Sequence, residues 1–394
     1  MRKIIVIIIS LLVITNSLRA SLPMVTEHSQ ISLLTCGTGD EVFTKFGHTA
    51  IRFNDPSQNV DIVFHWGIFS FDTPNFALRF MLGETDYLMG PFYTDIFIDE
   101  YKTRGSSITE QILDLTTQQK QQLWSKLWSD FNSPARSYRY QFVGKNCATK
   151  AYDEIVAIYS TNIAFDYQNS HTTYRKIINK YIDINSWFNL GINSIIGSEA
   201  DRPIGTLKAL SFPEYAADAI NHCSYTDSLS NTRPIVVSQR QILPQTNPYP
   251  ISIWNYIIQL LIPLILIVVQ IFYFFRHHHY VPVLTQITMI CFAIIGLIIS
   301  FLWFISSHPL VGTNYNILIY SPLLLIQAIV ISLPRCRTLK VITSLITLIT
   351  SIAYLIPLLF HLQSTTLPIV TYWILILTTT VITLATYYKA NTKI

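Results

Sequence analysis

The C-terminal part of the chain consists of apolar runs that are too long for the core of a small soluble domain. Five of them follow one another, at 251–275, 282–304, 316–333, 340–361 and 367–388. A helix of about 20 residues, rising 1.5 Å per residue, crosses the roughly 30 Å hydrocarbon layer of a bilayer. The runs therefore predict an all-α transmembrane domain of five helices over residues 251–394, preceded by a separate domain.

The basic residues between these runs indicate how the helices are oriented. Arginine and lysine are concentrated in alternate connections, at Arg276, Arg335, Arg337, Lys340, Lys389 and Lys393. The connections at 305–315 and near Gln363 contain neither residue type. Cytoplasmic loops of membrane proteins are enriched in lysine and arginine, so the pattern predicts that residues 21–250 lie on the exported side.

The residues before the first apolar run have the layout of a secretion signal followed by a soluble domain. Arg2 and Lys3 precede an apolar stretch, Ile4–Ile14, which is typical of a signal peptide and short for a spanning helix. Residues 1–20 are therefore a signal peptide or an uncleaved signal anchor. The net charge of the chain is only +4, and no long basic block is present, which argues against nucleic acid as a partner.

Strand and helix patterns alternate in residues 21–250 and predict an α+β exported domain. Strand-like patterns occur at Ile31–Leu34, Lys45–Phe53, Val60–Ile68, Ser107–Leu115 and Tyr138–Val143. An amphipathic helix capped by Thr116 is predicted to end at Phe131, and another to run from Cys147 to about Tyr159. The turn sequence Asn54–Ser57 predicts an antiparallel hairpin, in which we expect His48 and His65 to face each other.

Cys147 is the strongest candidate for a chemical role. It follows Asn146 at the predicted start of a helix, where partial positive charge and free N–H groups lower the pKa of a thiol. A histidine base completes the minimal set for covalent acyl chemistry, and His48 lies earlier in a Phe-Gly-His sequence. His65 is the candidate third residue that orients His48. Asn146 is expected to cap the helix or to donate to an oxyanion. Each residue also has an ordinary interpretation as a packed or surface side chain.

Other polar residues give weaker signals. Three cysteines, Cys36, Cys147 and Cys223, lie in the predicted exported domain, so at least one thiol is free. Cys36 and Cys223 either form a disulfide or are both unpaired. Asp201–Arg202 is expected to form a salt bridge. His277–His279 lie in a predicted cytoplasmic loop without cysteine or carboxylate partners. No zinc-type spacing, phosphate-binding loop or dinucleotide fingerprint is present, so neither a metal nor a cofactor is predicted.

Two features lie where the exported domain is expected to meet the membrane. Residues 74–100 are rich in aromatic side chains, and their ordinary interpretation is core and loop packing. The alternative is a rim that contacts lipid, because aromatic residues favour the bilayer interface. His308 lies in the uncharged outer loop, where it either supports local structure or contacts lipid headgroups.

Several segments resemble the Lnb-type bacterial lipoprotein N-acyltransferases. The segments in the exported domain are TCGTGDEVFTKFGHTAIRF, DIVFHWGIFSFDTPNFALRFMLGETDYLM, YRYQFVGKNCATKAYDEI and SFPEYAADAI. A later one is SSHPLVGTNYNILIYSPL, so the resemblance spans nearly the whole chain. It implies a permuted papain-like (NlpC/P60-like) cysteine enzyme fold, in which histidine precedes cysteine as in lecithin:retinol acyltransferase-like enzymes. It also implies His48 as base and Cys147 as nucleophile. His65 departs from the asparagine that is expected at its position in relatives, although either side chain can orient an imidazole.

The resemblance further implies a reaction and a location. An acyl chain would move from a membrane phospholipid, through a thioester on Cys147, to the α-amino group of the lipidated N-terminal cysteine of a diacylated lipoprotein. The protein would be a multi-pass protein of the bacterial inner membrane, with its catalytic domain facing the periplasm. Two alternatives stay open, a papain-like cysteine hydrolase or amidase acting on lipid or cell-wall peptide, and a catalytically dead membrane sensor or binding protein.

Overall fold

The computed structural model describes residues 24–159, 163–165, 172–227, 230–246 and 252–389. The predicted signal segment, residues 1–20, lies outside these residues. A domain that contains both strands and helices comes first, and apolar helices follow it. The coarse prediction of an α+β domain before an all-α membrane domain is therefore confirmed.

A seven-stranded antiparallel sheet forms the centre of the first domain. The strands of the domain, β1 to β12 in chain order, are Gln30–Cys36, His48–Asp55, Val60–Ile68, Asp86–Tyr93, Ile108–Leu113, Ser137–Arg139, Ile163–Phe165, Thr172–Thr173, Pro203–Ile204, Cys223–Thr226, Thr232–Pro234 and Val236–Leu243. The large sheet has the order β12-β5-β1-β2-β3-β4-β6. A three-stranded sheet, β11-β10-β7, and the pair β8-β9 lie outside it. The predicted hairpin of β2 and β3 thus occupies the middle of the large sheet.

Helices cover both faces of the large sheet. Successive side chains of a strand point to opposite faces, so each central strand contributes to packing on both sides. The helices of this domain, α1 to α8, are Phe76–Leu82, Thr94–Arg104, Thr117–Phe131, Cys147–Tyr159, Tyr174–Tyr181, Trp187–Ile195, Thr206–Ala209 and Pro213–Asn221. Leu33 belongs to the core that contains residues of α3 and α4, whereas its neighbour Leu34 packs on the other side with Phe97 and Tyr101 of α2. This two-sided burial holds the central strands, and the residues at their ends, in fixed positions.

Several predicted boundaries differ from the observed ones, and two of these differences lie close to the candidate site. The predicted strand Lys45–Phe53 begins only at His48, because a short 3-10 turn ends at Thr44 and Gly47 has a φ of +75°. The extended stretch predicted at Tyr138–Val143 forms a strand only over Ser137–Arg139. The helix predicted to end at Phe131 is confirmed, and Thr116 caps it in a capping box with Gln119.

The apolar runs form helices, of which two are interrupted. The helices α9 to α14 are Ile253–His277, Pro282–Phe304, Leu323–Ser332, Arg337–Ala353, Leu355–Leu359 and Leu367–Lys389. Among the described residues, five segments are long and apolar enough to cross a membrane. The third begins with a 3-10 turn and is broken before Pro322, and the fourth breaks after Ala353. Pro357 explains the second break, since proline clashes with the carbonyl four residues earlier.

A buried arginine network joins the two parts of the molecule. Arg175 of α5 is 4% exposed and donates to both carboxylate oxygens of Asp201, at 2.8 and 3.0 Å, and to the carbonyls of Ile196 and Gly197. The Gly197 N–H in turn donates to the Leu310 carbonyl, at 2.7 Å, in the loop after α10. The segment around Gly197 is therefore held between the first domain and the outer loops of the membrane helices.

Two of the weaker sequence predictions are settled by these contacts. Cys36 and Cys223 are both buried free thiols, so the disulfide alternative is wrong and the unpaired one is confirmed. Asp201 and Arg202 each form a salt bridge, but with different partners, Arg175 at 2.8 Å and Glu199 at 3.0 Å.

Candidate active site

His48 and His65 meet at one end of the central hairpin. His48 is the first residue of β2, and its ring Nε2 lies 3.0 Å from Nδ1 of His65 on β3. The expectation that the two rings face each other is confirmed. Gly47 is required before His48, because its φ is +75° and a Cβ there would lie 2.6 Å from the Cys36 carbonyl oxygen.

The contact between the rings gives the two nitrogens of His48 different hydrogen-bonding roles. A neutral imidazole has one N–H donor and one acceptor nitrogen. When Nδ1 of His65 accepts, Nε2 of His48 holds a proton and Nδ1 of His48 keeps its lone pair. In this tautomer, His48 has a basic nitrogen on the side of the ring away from His65.

Cys147 is the first residue of α4, as predicted, and Asn146 caps the helix. The Asn146 Oδ1 accepts from the N–H groups of Ala148 and Thr149, at 3.0 and 3.2 Å. Its Nδ2 donates to the carbonyls of Phe142 and Ser211, at 2.9 and 2.7 Å. Both amide hydrogens are therefore used within the protein. Of the two roles considered for Asn146, the structure supports the cap and leaves no side-chain N–H for an oxyanion.

The Cys147 sulfur lies beside the start of β2. The backbone N–H groups of Thr49, Ala148 and Cys147 interact with the sulfur and favour its thiolate form. Thr49 directly follows His48, so the thiol lies near the start of the strand that carries the histidine paired with it by sequence reasoning. Cys147, His48, His65 and Asn146 all line one cavity.

The pKa of the Cys147 thiol differs from the expectation that a helix start lowers it. Burial raises this pKa to about 11, and the hydrogen bonds from the three backbone N–H groups lower it only in part. The expected lowering is therefore wrong for the free protein, because loss of hydration around the thiolate outweighs the helix terminus. Cys147 is a protonated thiol at neutral pH.

The two histidines are also uncharged at neutral pH. Burial lowers the pKa of His48 well below its ordinary value, and repulsion by His65 in its protonated form and by Arg104 lowers it further. Burial lowers the pKa of His65 to about 4. The resting site is thus a neutral thiol beside a neutral imidazole, and a proton must move to His48 as the sulfur attacks.

The cavity that contains these residues is apolar and reaches the membrane helices. Its volume is about 800 Å³, which is at the upper end of the range for small-molecule sites. Cys147 and His48 lie in its wall together with Phe188 and with Ile298 and Leu302 of α10. One continuous space therefore connects the thiol with side chains of a candidate membrane span.

Sequence reasoning missed most of the cavity wall. Glu100 and Arg104 of α2 form an ion pair that lines it, and Tyr101 lies between them. These residues belong to an exposed-looking helix, and only the packing of α2 on β3 and β4 brings them to the cavity. His308 also lines the cavity and bonds to the Phe80 carbonyl, which supports a role in local structure. Within the described part of the chain, no cluster of three metal-binding side chains occurs.

Comparison with known proteins identifies both parts of the chain. Comparison with curated proteins and with solved structures found no match. A family model described as the Lnb N-terminal periplasmic domain matches residues 24–180, and one described as the Lnb transmembrane domain matches residues 249–391. With five candidate spans, these matches make the protein a multi-pass inner-membrane protein with a periplasmic domain. Because they cover well over half of the chain, it belongs to the Lnb family.

Proposed function

We propose that this protein is a lipoprotein N-acyltransferase that uses Cys147 as its nucleophile. Membership of the Lnb family suggests a role in lipoprotein maturation. The observation that carries the specific reaction is the apolar cavity, which connects Cys147 and His48 with Ile298 and Leu302 of the membrane domain. A soluble peptide has no need of such a connection, whereas an acyl chain held in a bilayer does.

In the first step, the acyl chain moves from a membrane phospholipid to the sulfur. His48 takes the thiol proton as Sγ of Cys147 attacks the ester carbonyl. The bond between the carbonyl carbon and the ester oxygen then breaks. His48 returns the proton to that oxygen, and the products are a lysophospholipid and a thioester on Cys147.

The backbone N–H groups around the sulfur support this step. The backbone N–H groups of Thr49 and of Cys147 itself interact with the sulfur, and no side chain has to move to present them. Fixed N–H donors stabilise negative charge as it develops during acyl transfer, commonly by about 3–4 kcal/mol for one donor. We assign the oxyanion to the backbone N–H groups of Thr49 and Cys147, since the Ala148 N–H donates to Asn146 Oδ1 and the hydrogens of the Asn146 side chain are already used.

In the second step, the α-amino group of the lipidated N-terminal cysteine of a lipoprotein attacks the thioester. His48 takes one proton from the amine, the carbon–sulfur bond breaks, and the proton returns to the sulfur. The product is an amide, and the thiol is restored. The apolar wall of the cavity disfavours water, which would hydrolyse the thioester to a free fatty acid.

His65 is proposed to orient His48, and the exported domain is proposed to be a permuted papain-like (NlpC/P60-like) fold. The 3.0 Å contact supports the first assignment, because it fixes the ring that must face the thiol. The order of the residues supports the second, since the strand with His48 precedes the helix that begins at Cys147.

Mass spectrometry of lipoprotein N-termini tests the proposal against both alternatives. Membranes with the unaltered protein should contain N-acylated lipoprotein, and membranes with the Cys147→Ser variant should contain only the diacylated precursor. A cysteine hydrolase or amidase would instead release free fatty acid or cleaved peptide. A catalytically dead sensor would tolerate Cys147→Ser and His48→Asn without any change. Full N-acylation in the Cys147→Ser membranes would refute the proposed function.

A further inference from the structure

Exposed apolar side chains surround the mouth of the cavity. Five residues line it and are also between 40% and 64% exposed, and we call them the apolar rim: Val42, Phe43, Phe71, Phe80 and Met81. An exposed patch of this kind on a folded protein marks a contact with another protein or with a membrane. Neighbouring aromatic rings give it a continuous surface, since the centroids of Phe43 and Phe71 lie 6.1 Å apart.

The apolar rim is fastened to the outer end of a membrane helix. The backbone N–H of Ser307, which follows α10, donates to the carbonyl of Leu82 at the end of α1, at 2.9 Å. Gly83 permits this approach, because its φ is +75° and a Cβ there would lie 2.5 Å from the Ser307 hydroxyl. At the same end of α10, Phe304 is 72% exposed. The helix α1 therefore lies beside the level at which α10 leaves the membrane.

The depth of the cavity below that level follows from the helix geometry. Ile298 lines the cavity and lies six residues before Phe304, the last residue of α10. Six residues of helix span about 9 Å. One leaflet contributes about 15 Å of the hydrocarbon layer. When Phe304 is taken as the outer end of the candidate span Pro282–Phe304, the floor of the cavity lies within the outer half of the bilayer, whereas Cys147 belongs to the periplasmic domain.

We propose that α1 and the apolar rim lie in the periplasmic leaflet and form a lateral opening through which the acyl chain of a glycerolipid enters the cavity. The chain passes between α1 and the outer half of α10 and reaches Cys147 without crossing water. The contact with lipid stands on the geometry alone, and its use in catalysis rests on the proposed function. Of residues 74–100, for which the sequence leaves open either packing or contact with lipid, the proposal places Phe80 and Met81 of α1 against lipid.

Photocrosslinking in vesicles tests the contact with lipid. The photoreactive amino acid p-benzoylphenylalanine replaces Phe80 in one variant and Pro56 in another, in full-length protein in phosphatidylethanolamine and phosphatidylglycerol vesicles. Pro56 is a suitable control, since it is exposed and begins the β2–β3 turn, about 23 Å along the strand from His48. We expect lipid adducts at position 80 and few at position 56. Equal adduct formation at the two positions would overturn the proposal.

A kinetic comparison tests whether the opening serves the donor lipid. The double variant Phe80→Ser/Met81→Ser should lower acyl transfer from vesicle lipid, relative to reaction with water-soluble p-nitrophenyl butyrate, by about tenfold. Pro56→Ser should leave this ratio unchanged, and an unchanged ratio in the double variant would overturn the route. Crosslinking needs no acyl transfer, so lipid adducts without any N-acylated product would refute the proposed function but not the contact.

Discussion

The protonation state of Cys147 leads to a prediction that distinguishes a neutral thiol and imidazole from a thiolate–imidazolium pair. The thiol has a pKa of about 11 in the free protein. At pH 7.5 roughly one molecule in 3,000 is then a thiolate, against roughly one in ten for an ordinary cysteine of pKa about 8.5. The rate of alkylation by neutral iodoacetamide, which reacts with the thiolate, should therefore rise about tenfold per pH unit from pH 6 to pH 10.

The assay follows the carbamidomethylated peptide that contains Cys147 by mass spectrometry, so the other cysteines do not interfere. A free cysteine peptide in the same tube supplies the reference rate at each pH. His48→Asn should leave the pH profile unchanged, because the imidazole that it removes is uncharged. An alkylation rate that is already constant below pH 8, or that His48→Asn shifts to higher pH, would show a thiolate–imidazolium pair and refute the reasoning.

The remaining predictions concern single contacts. The His65→Asn variant should keep most of the transfer rate, whereas His65→Phe should lower kcat/KM by about 10²-fold, because phenylalanine cannot accept a hydrogen bond from His48. Equal rates in the two variants would rule out orientation of His48 by His65. Arg175→Met should destabilise the protein by about 3–5 kcal/mol in thermal unfolding, because it removes the cation beside the largely buried Asp201 and the donor to the carbonyls of Ile196 and Gly197. The exposed control Arg202→Met should change stability by under about 0.5 kcal/mol. Gly296→Ala should lower the melting temperature, since its Cβ would lie 1.6 Å from a backbone oxygen, whereas Gly191→Ala meets nothing within 4 Å and should not.

Local patterns in the sequence were sufficient for the elements that carry the site. The alternation in β2 and β3, the turn between them and the cap at Asn146 are all properties of adjacent residues. They correctly predicted that His48 faces His65 and that Cys147 begins a helix. The apolar runs correctly predicted five candidate spans, because a bilayer imposes a minimum length on each one.

The features that sequence reasoning missed depend on residues that are far apart in the chain. The pKa of Cys147 is set by how completely the packed domain surrounds the sulfur, which no local motif encodes. Arg175 finds its partner Asp201 only after α5 and the later turn have packed together. The cavity is formed by residues from Gly37 to Val311, and its extension into the membrane depends on how the domains meet.

A trapped thioester tests the central claim most directly. Purified protein is mixed with phospholipid vesicles in the absence of lipoprotein, and the peptide that contains Cys147 is analysed by mass spectrometry. We expect the mass of one acyl chain on this peptide, its release by hydroxylamine, and its transfer to the amine of a diacylated lipoprotein added afterwards. Absence of the adduct from Cys147 while N-acylated lipoprotein still forms, or N-acylation by the Cys147→Ala variant, would contradict the account.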